Sequence, residues 1–194
     1  MRTRLFAVLA SVVVLLSACG INSIPRAEEE VKARWADVQT QYQRRADLIP
    51  NLVRTVQGYA QQERQVLTEV TEARARATSI QVDPANAQAV RQFAEAQGAL
   101  SQSLGRLLVT VERYPELRSN ENFMALQSQL EGTENRIAVS RRDYNAAVQA
   151  YNTRIRTFPD LIGARIIYGS QPMTPFEAQE GAERAPEVDF GNGQ

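Results

Sequence analysis

The sequence predicts an all-α protein: an antiparallel up-and-down bundle of three to four long helices, the first kinked or broken near Pro50. Three observations carry that expectation. Apolar residues recur at three- and four-residue intervals over long stretches. No Val/Ile/Thr-rich alternating run bounded by turn residues is present, so strand signals are nearly lacking. Prolines divide the helical pattern into segments of bundle length.

The first helical stretch follows a short linker, "GINSIPR". Its apolar positions are Val31, Trp35, Val38, Tyr42, Ile49, Leu52, Val56, Tyr59, Val66, Val70, Ala73 and Ala77, with two charged interruptions at Arg45 and Glu63. Pro50 lies in the middle. Either it occupies the first turn of a second helix capped by Asp47, or it kinks one long helix. The apolar register continues across it, so a mild break is expected. Asp83-Pro84 reads as a clearer boundary, aspartate at N-cap and proline at the first helical position. The next helix should run from Pro84 to about Tyr114, with Val90, Phe93, Ala94, Gln97, Leu100, Leu104, Leu107, Leu108 and Val111 on its apolar side. Pro115 and "PELRSNEN" turn the chain. A last long helix should start near Asn120, carry Phe123, Leu126, Leu130, Ile137, Tyr144, Val148, Tyr151, Ile155 and Phe158, and end at Phe158-Pro159. The expected division is a signal segment at 1–18, an anchor and linker at 19–26, the bundle at 27–159, and a mostly irregular, loosely packed tail at 160–194, where Gly, Pro and acidic residues accumulate.

Composition removes many function classes. The 22 basic and 22 acidic residues balance, which argues against a nucleic-acid partner. There is no histidine and only one cysteine. Ser-His-Asp and Cys-His catalysis, a Glu-x-x-His di-iron site, a Cys/His zinc site and an internal disulfide are all excluded. No cofactor and no metal are expected.

The N-terminus carries the clearest functional signal. Arg2 and Arg4 precede an apolar run from Leu5 to Leu16, broken only by Ser11. That run is shorter than the roughly 20 residues of a transmembrane helix and fits the core of a signal peptide. It ends in Leu16-Ser17-Ala18-Cys19, which resembles a bacterial lipobox. Cleavage between Ala18 and Cys19 would leave Cys19 as the lipid-attachment residue, and more than one acyl chain gives stable anchoring. A retained signal anchor is the competing reading. Gly20 after the cysteine is compatible with the outer membrane, facing the periplasm, in a Gram-negative host.

Downstream, three features could carry chemistry or docking. Arg44, Arg45, Asp47, Asn51 and Glu63 place polar groups on or beside an apolar stripe; ion pairing to a partner helix explains them, and a docking surface is the alternative. Tyr144-Asn145 and Tyr151-Asn152 repeat one heptad apart and so share a face. Hydrogen-bonded core tyrosines and register-setting asparagines account for them, with a ligand site as the alternative. Glu28, Glu29 and Glu30 suit a helix N-terminus and point in different directions, so they make no metal site.

Several motifs occur in an order that resembles the LemA family of bacterial membrane-associated helical proteins: Trp35, "RRADLIPNLV" (44–53), "GYAQQE" (58–63), "ERYPELRSNENF" (112–123), "RRDYNAAVQAYN" (141–152), "FP" (158–159) and "PEVDF" (186–190). The resemblance spans essentially all of the chain after the lipobox. It implies a helical bundle tethered to a membrane by its N-terminus. It implies no established reaction and carries no catalytic or binding residue over; some relatives are associated with magnetosome membranes and some are bacterial antigens. Two departures stand out: a lipoprotein-type N-terminus where many members keep a transmembrane helix, and Gln62 where histidine is common.

The expected function is a non-enzymatic, membrane-tethered helical bundle of the cell envelope, a scaffold or interaction module. Its partners would be membrane lipid through acylated Cys19 and an envelope protein, with a homo-oligomer left open. The alternatives are a histidine-free envelope enzyme, with Glu63 and Tyr144 as candidates, and a small-ligand-binding bundle.

Overall fold

The computed structural model describes residues 22–176. Ala18, Cys19 and the rest of the N-terminal signal lie outside the described residues, as does "PEVDF". Four long helices dominate: α1 (Ser23–Tyr59), α2 (Arg64–Ser79), α3 (Ala87–Val111) and, after the short α4 (Pro115–Arg118), α5 (Glu121–Arg154). A one-turn helix α6 (Asp160–Gly163) runs into a wider π-type turn at Ala164–Tyr168. There is no strand among the described residues. The all-α bundle expected from the sequence is the fold.

α1, at 37 residues, is about 55 Å long at 1.5 Å per residue. α5 returns along it, and the α2–α3 hairpin packs against its second half. The molecule therefore has two cores. In the distal half, four helices enclose Ile49, Leu52, Val56, Val70, Leu100, Leu107, Leu117 and Phe123. In the proximal half, around the start of α1, only α1 and α5 run the full length. Their stripe of Val31, Trp35, Val38, Tyr144, Val148 and Tyr151 is completed by Phe93 of α3 and by Met173 and Phe176 of the C-terminal segment.

Pro50 does not break α1, and Asp47 caps no second helix; the break comes at Ala60–Glu63. The reason is local satisfaction of what proline removes. With no N–H at Pro50, the carbonyl four residues back, that of Ala46, loses its helical donor. The Arg74 Nε of α2 donates to that carbonyl at 2.7 Å. The proline ring itself faces solvent, while Ile49 and Leu52 keep the stripe buried.

Asp83-Pro84 likewise forms a turn and not the helix start. The Asp83 carboxylate accepts from Ala85 N–H at 2.9 Å, and Asn86 is the N-cap, its side chain accepting from Ala89 N–H. Asparagine caps as well as aspartate, so the start moved to the next capping residue. α5 starts where the sequence places it, near Asn120, and the Asn120 side chain is the N-cap, accepting from Phe123 N–H at 3.1 Å.

The largest departure lies beyond Pro159. A loosely packed tail was expected; residues 160–168 are helical and Met173 and Phe176 are buried. Gly169 makes the turn between them with φ of 58°, a left-handed conformation that glycine adopts without strain. Phe158, assigned to the apolar stripe of the last helix, lies past its end and is 72% exposed.

Candidate functional site

Arg45 sits in the stripe of α1 at 1% exposure, where a charge must find partners. Its Nη1 donates to Glu134 Oε1 of α5 at 2.7 Å and to Ser101 Oγ of α3 at 2.8 Å. Nη2 donates to the Gln97 side-chain oxygen at 2.6 Å, and the guanidinium lies 5.0 Å from the Tyr42 ring centre. Gln97 in turn donates to the Ala77 carbonyl of α2. One buried cation thus ties all four long helices at a fixed level. Arg44, Asp47 and Asn51 stay on the outer face of α1. Asp47 accepts from Gln43 and Asn51 from Arg54 within the same helix.

Glu63 closes the distal end. Its Oε1 accepts from Arg113 Nη2 at 2.8 Å and from the Tyr114 hydroxyl at 2.9 Å. The bond to that carboxylate pushes the Tyr114 phenol upward. Beside it the Asn120 amide donates to the Tyr59 hydroxyl at 3.0 Å. Glu63 is thus a structural acceptor between the α1–α2 turn and the end of α3.

The repeated Tyr-Asn pairs of α5 form the most specific arrangement. Asn145 donates through Nδ2 to the Phe176 carbonyl at 2.9 Å and accepts Phe176 N–H at 2.8 Å. Asn152 repeats this with Met173, both bonds at 2.8 Å. The Tyr144 hydroxyl donates to the Thr174 carbonyl at 2.8 Å and that of Tyr151 to the Gln171 carbonyl at 3.2 Å. Burial pushes Tyr144 up to about 12 and Tyr151 upward too, so both phenols stay protonated and donating.

The periods match. Seven residues of helix advance about 10.5 Å, and three residues of extended polyproline-type chain advance about 9.3 Å. Contacts recur every third residue in the segment (171 and 174; 173 and 176), which is the repeat of a polyproline helix and not the two-residue repeat of a strand. Pro172 and Pro175 favour that conformation at their own positions and at Gln171 and Thr174 before them. The segment runs antiparallel to α5, and its every-third residues Met173 and Phe176 point inward. Phe176 stacks on Trp35 at 5.4 Å and 19° and meets Tyr144 edge-on at 5.5 Å. The asparagines, read from sequence as register-setting between helices, instead hold the main chain of an extended segment.

A LemA family profile matches residues 34–190. The chain belongs to the LemA family. Among its relatives, the magnetosome protein MamQ 2 of Paramagnetospirillum magneticum is 26% identical over an alignment of length 157 that covers 71% of this chain and 58% of that protein. The magnetosome protein MamQ of Magnetospirillum gryphiswaldense is 24% identical with the same coverage, and protein LemA of Metamycoplasma hominis is 23% identical over 137 residues, 71% of this chain and 60% of that one. The chain thus spans about three fifths of the length of these curated relatives.

In this LemA-family chain the sequence motifs turn out to be partners of one another. "GYAQQE" meets "ERYPELRSNENF" through Glu63, Arg113, Tyr114, Tyr59 and Asn120. "RRDYNAAVQAYN" meets the segment after "FP" through its Tyr-Asn pairs. Residues the sequence reading passed over are Arg74, Ser101, Glu134 and the whole of 171–176. The signal for the last was present in "QPMTPF": two prolines three apart, matching the polyproline repeat. Among the described residues no group of three or more His, Cys, Asp or Glu side chains could hold a metal ion.

Proposed function

We propose that this protein is a lipid-anchored helical bundle of the bacterial cell envelope that works as a scaffold or interaction module and catalyses no reaction. The observation that carries the reading is the engagement of its candidate chemical groups. Arg45, Glu63, Tyr144, Asn145, Tyr151 and Asn152 are each bonded to another helix or to the C-terminal segment. A cleft of about 410 Å³ between α1, α2 and α3 is lined by Gln39, Gln43, Gln81, Gln97, Tyr42, Thr78 and apolar groups, and a wider, open groove of about 840 Å³ between α1 and α2 carries Arg54, Arg64 and Glu72. The cleft offers a carboxylate-based enzyme no acid or base, and in the groove Glu72 is exposed and paired with Arg76 at 3.8 Å, which does not favour catalysis there.

The membrane tether rests on the lipobox at Leu16–Cys19 and on membership of the LemA family. In a Gram-negative host the acylated chain would stand on the periplasmic face of the outer membrane, with an envelope protein as its partner. Labelling cells with radioactive palmitate tests the anchor. Label in the wild type and none in Cys19→Ala is the expected result. Equal label in both, or none in either, overturns the lipoprotein reading. Photo-crosslinking from the exposed face of α5, followed by mass spectrometry, then identifies the partner.

A further inference from the structure

At the proximal end the surface changes character. Among the described residues nine large apolar side chains are exposed, and five of them fall in residues 158–168: Phe158 at 72%, Ile162 at 53%, Ile166 at 78%, Ile167 at 57% and Tyr168 at 40%. Single exposed apolar residues need no explanation, but a contiguous group marks a contact surface. Arg165 is exposed within the same stretch and Arg156 two residues before it. Isoleucine and aromatic side chains with arginines beside them are the composition of a segment lying in a membrane interface.

The position of this group says what covers it. The segment is pinned to the first turn of α1. Ser23 Oγ donates to Asp160 Oδ2 at 2.8 Å, Arg154 Nη1 donates to the Ser23 carbonyl at 3.0 Å, and Ile24 packs close to Gly163. Cys19 precedes Ser23 by four residues, and a fully extended chain advances at most about 3.6 Å per residue. Lipid on Cys19 therefore lies within about 14 Å of Ser23. The apolar run that ends at Leu16 lies seven residues before Ser23, within about 25 Å of it on the same count, so a retained anchor would also hold this end of the bundle near the membrane.

We propose that residues 158–168 form a second membrane contact, with Phe158, Ile162, Ile166 and Ile167 inserted at the headgroup–acyl boundary and Arg156 and Arg165 against anionic headgroups. The contact sets the orientation of the bundle: α1 and α5 end on the lipid surface and the distal turns at Ala60–Glu63 and Tyr114–Asn120 point away from it. This inference rests on the membrane tether proposed above, and its test separates the two.

Trp35 is the sole tryptophan of the chain and is 3% exposed, so it serves as an internal reference shielded from lipid. The full chain carrying Ile166→Trp, and separately Phe158→Trp, is reconstituted with phosphatidylcholine–phosphatidylglycerol vesicles whose acyl chains are brominated. Val109→Trp, equally exposed at the distal end of α3, is the control. All three replaced positions are solvent-facing, so the fold tolerates them. The expected result is flotation of all three proteins with the vesicles, bromine quenching and a blue shift for Ile166→Trp and Phe158→Trp, and neither for Val109→Trp. Flotation with all three tryptophans equally unquenched overturns the second contact and leaves the tether standing. Failure of the full chain to float overturns both.

Discussion

Replacing Asn145 and Asn152 together with alanine should release the C-terminal segment while leaving the bundle folded. Docking of residues 170–176 is a close balance. Six hydrogen bonds between the segment and α5 at about 1 kcal/mol net each, with Met173 and Phe176 buried at about 2–3 kcal/mol each, give roughly 11 kcal/mol. Ordering seven residues at about 1–1.5 kcal/mol each opposes this with roughly 7–10 kcal/mol. The two asparagines supply four of the six bonds, so the double replacement removes about 4 kcal/mol, close to a thousandfold in the docking equilibrium. A single replacement removes about 2 kcal/mol, roughly thirtyfold, and should leave much of the population docked. Tryptophan emission reads the outcome directly, because Phe176 stacks on Trp35, the sole tryptophan. Release should move the emission maximum to the red in native buffer, strongly for the double variant and weakly for either single one. Far-UV circular dichroism should stay near wild type, since the distal core contains no residue of the segment. A double variant with wild-type emission would refute the clamp as what holds the segment.

Arg74→Met should cost about 1–2 kcal/mol in denaturant unfolding by leaving the Ala46 carbonyl without its donor. Pro50→Ala should then stabilise the Arg74→Met protein more than the wild type, because it restores a helical N–H to that same carbonyl; equal effects in the two backgrounds would remove the explanation for the unbroken helix. Glu134→Ala should destabilise by about 2–3 kcal/mol, less than for a fully buried pair because Glu134 is half exposed, since it leaves the Arg45 charge among neutral partners. Adding Arg45→Met should recover part of that loss, and additive losses measured by urea unfolding would contradict the hub. The phenol of Tyr144, held up at about 12 by burial, titrates near 10 once unfolded. Its contribution to stability is therefore complete below pH 10 and lost as pH rises from 10 to 12. Phenolate absorbance should lag behind that of the denatured chain over this window, and Tyr144→Phe should make alkaline unfolding less steep; an unchanged profile counts against burial as the cause.

The apolar stripes were readable because helical packing leaves a local trace: Val31, Trp35, Val38, Ile49, Leu52 and Val56 are buried as their spacing implies. What escaped depends on residues distant in sequence. Pro50 implied a mild break where there is none, because the donor that replaces its N–H comes from Arg74 on another helix. Arg45 looked like an interruption because its partners, Gln97, Ser101 and Glu134, lie on α3 and α5. The C-terminal segment looked loose because composition measures what side chains can bury. Its attachment is mostly through main-chain groups, which every sequence possesses. The Tyr-Asn repeat was recognised as one face of α5, but a heptad of hydrogen-bonding groups does not announce whether a helix or an extended chain lies opposite.

The two cores also differ in when they can exist. Every buried member of the distal core lies between residues 49 and 130, so it can close while the last third of the chain is still being made. The proximal core cannot. Trp35, near the beginning, has Phe93 and Tyr144 against it but lacks its stacking partner until Phe176 arrives, and until then one face of the indole is uncovered. A chain that emerges N-terminus first therefore matures from its far tip backward, and the end that holds the first turn of α1 is the last part to become protein-like inside.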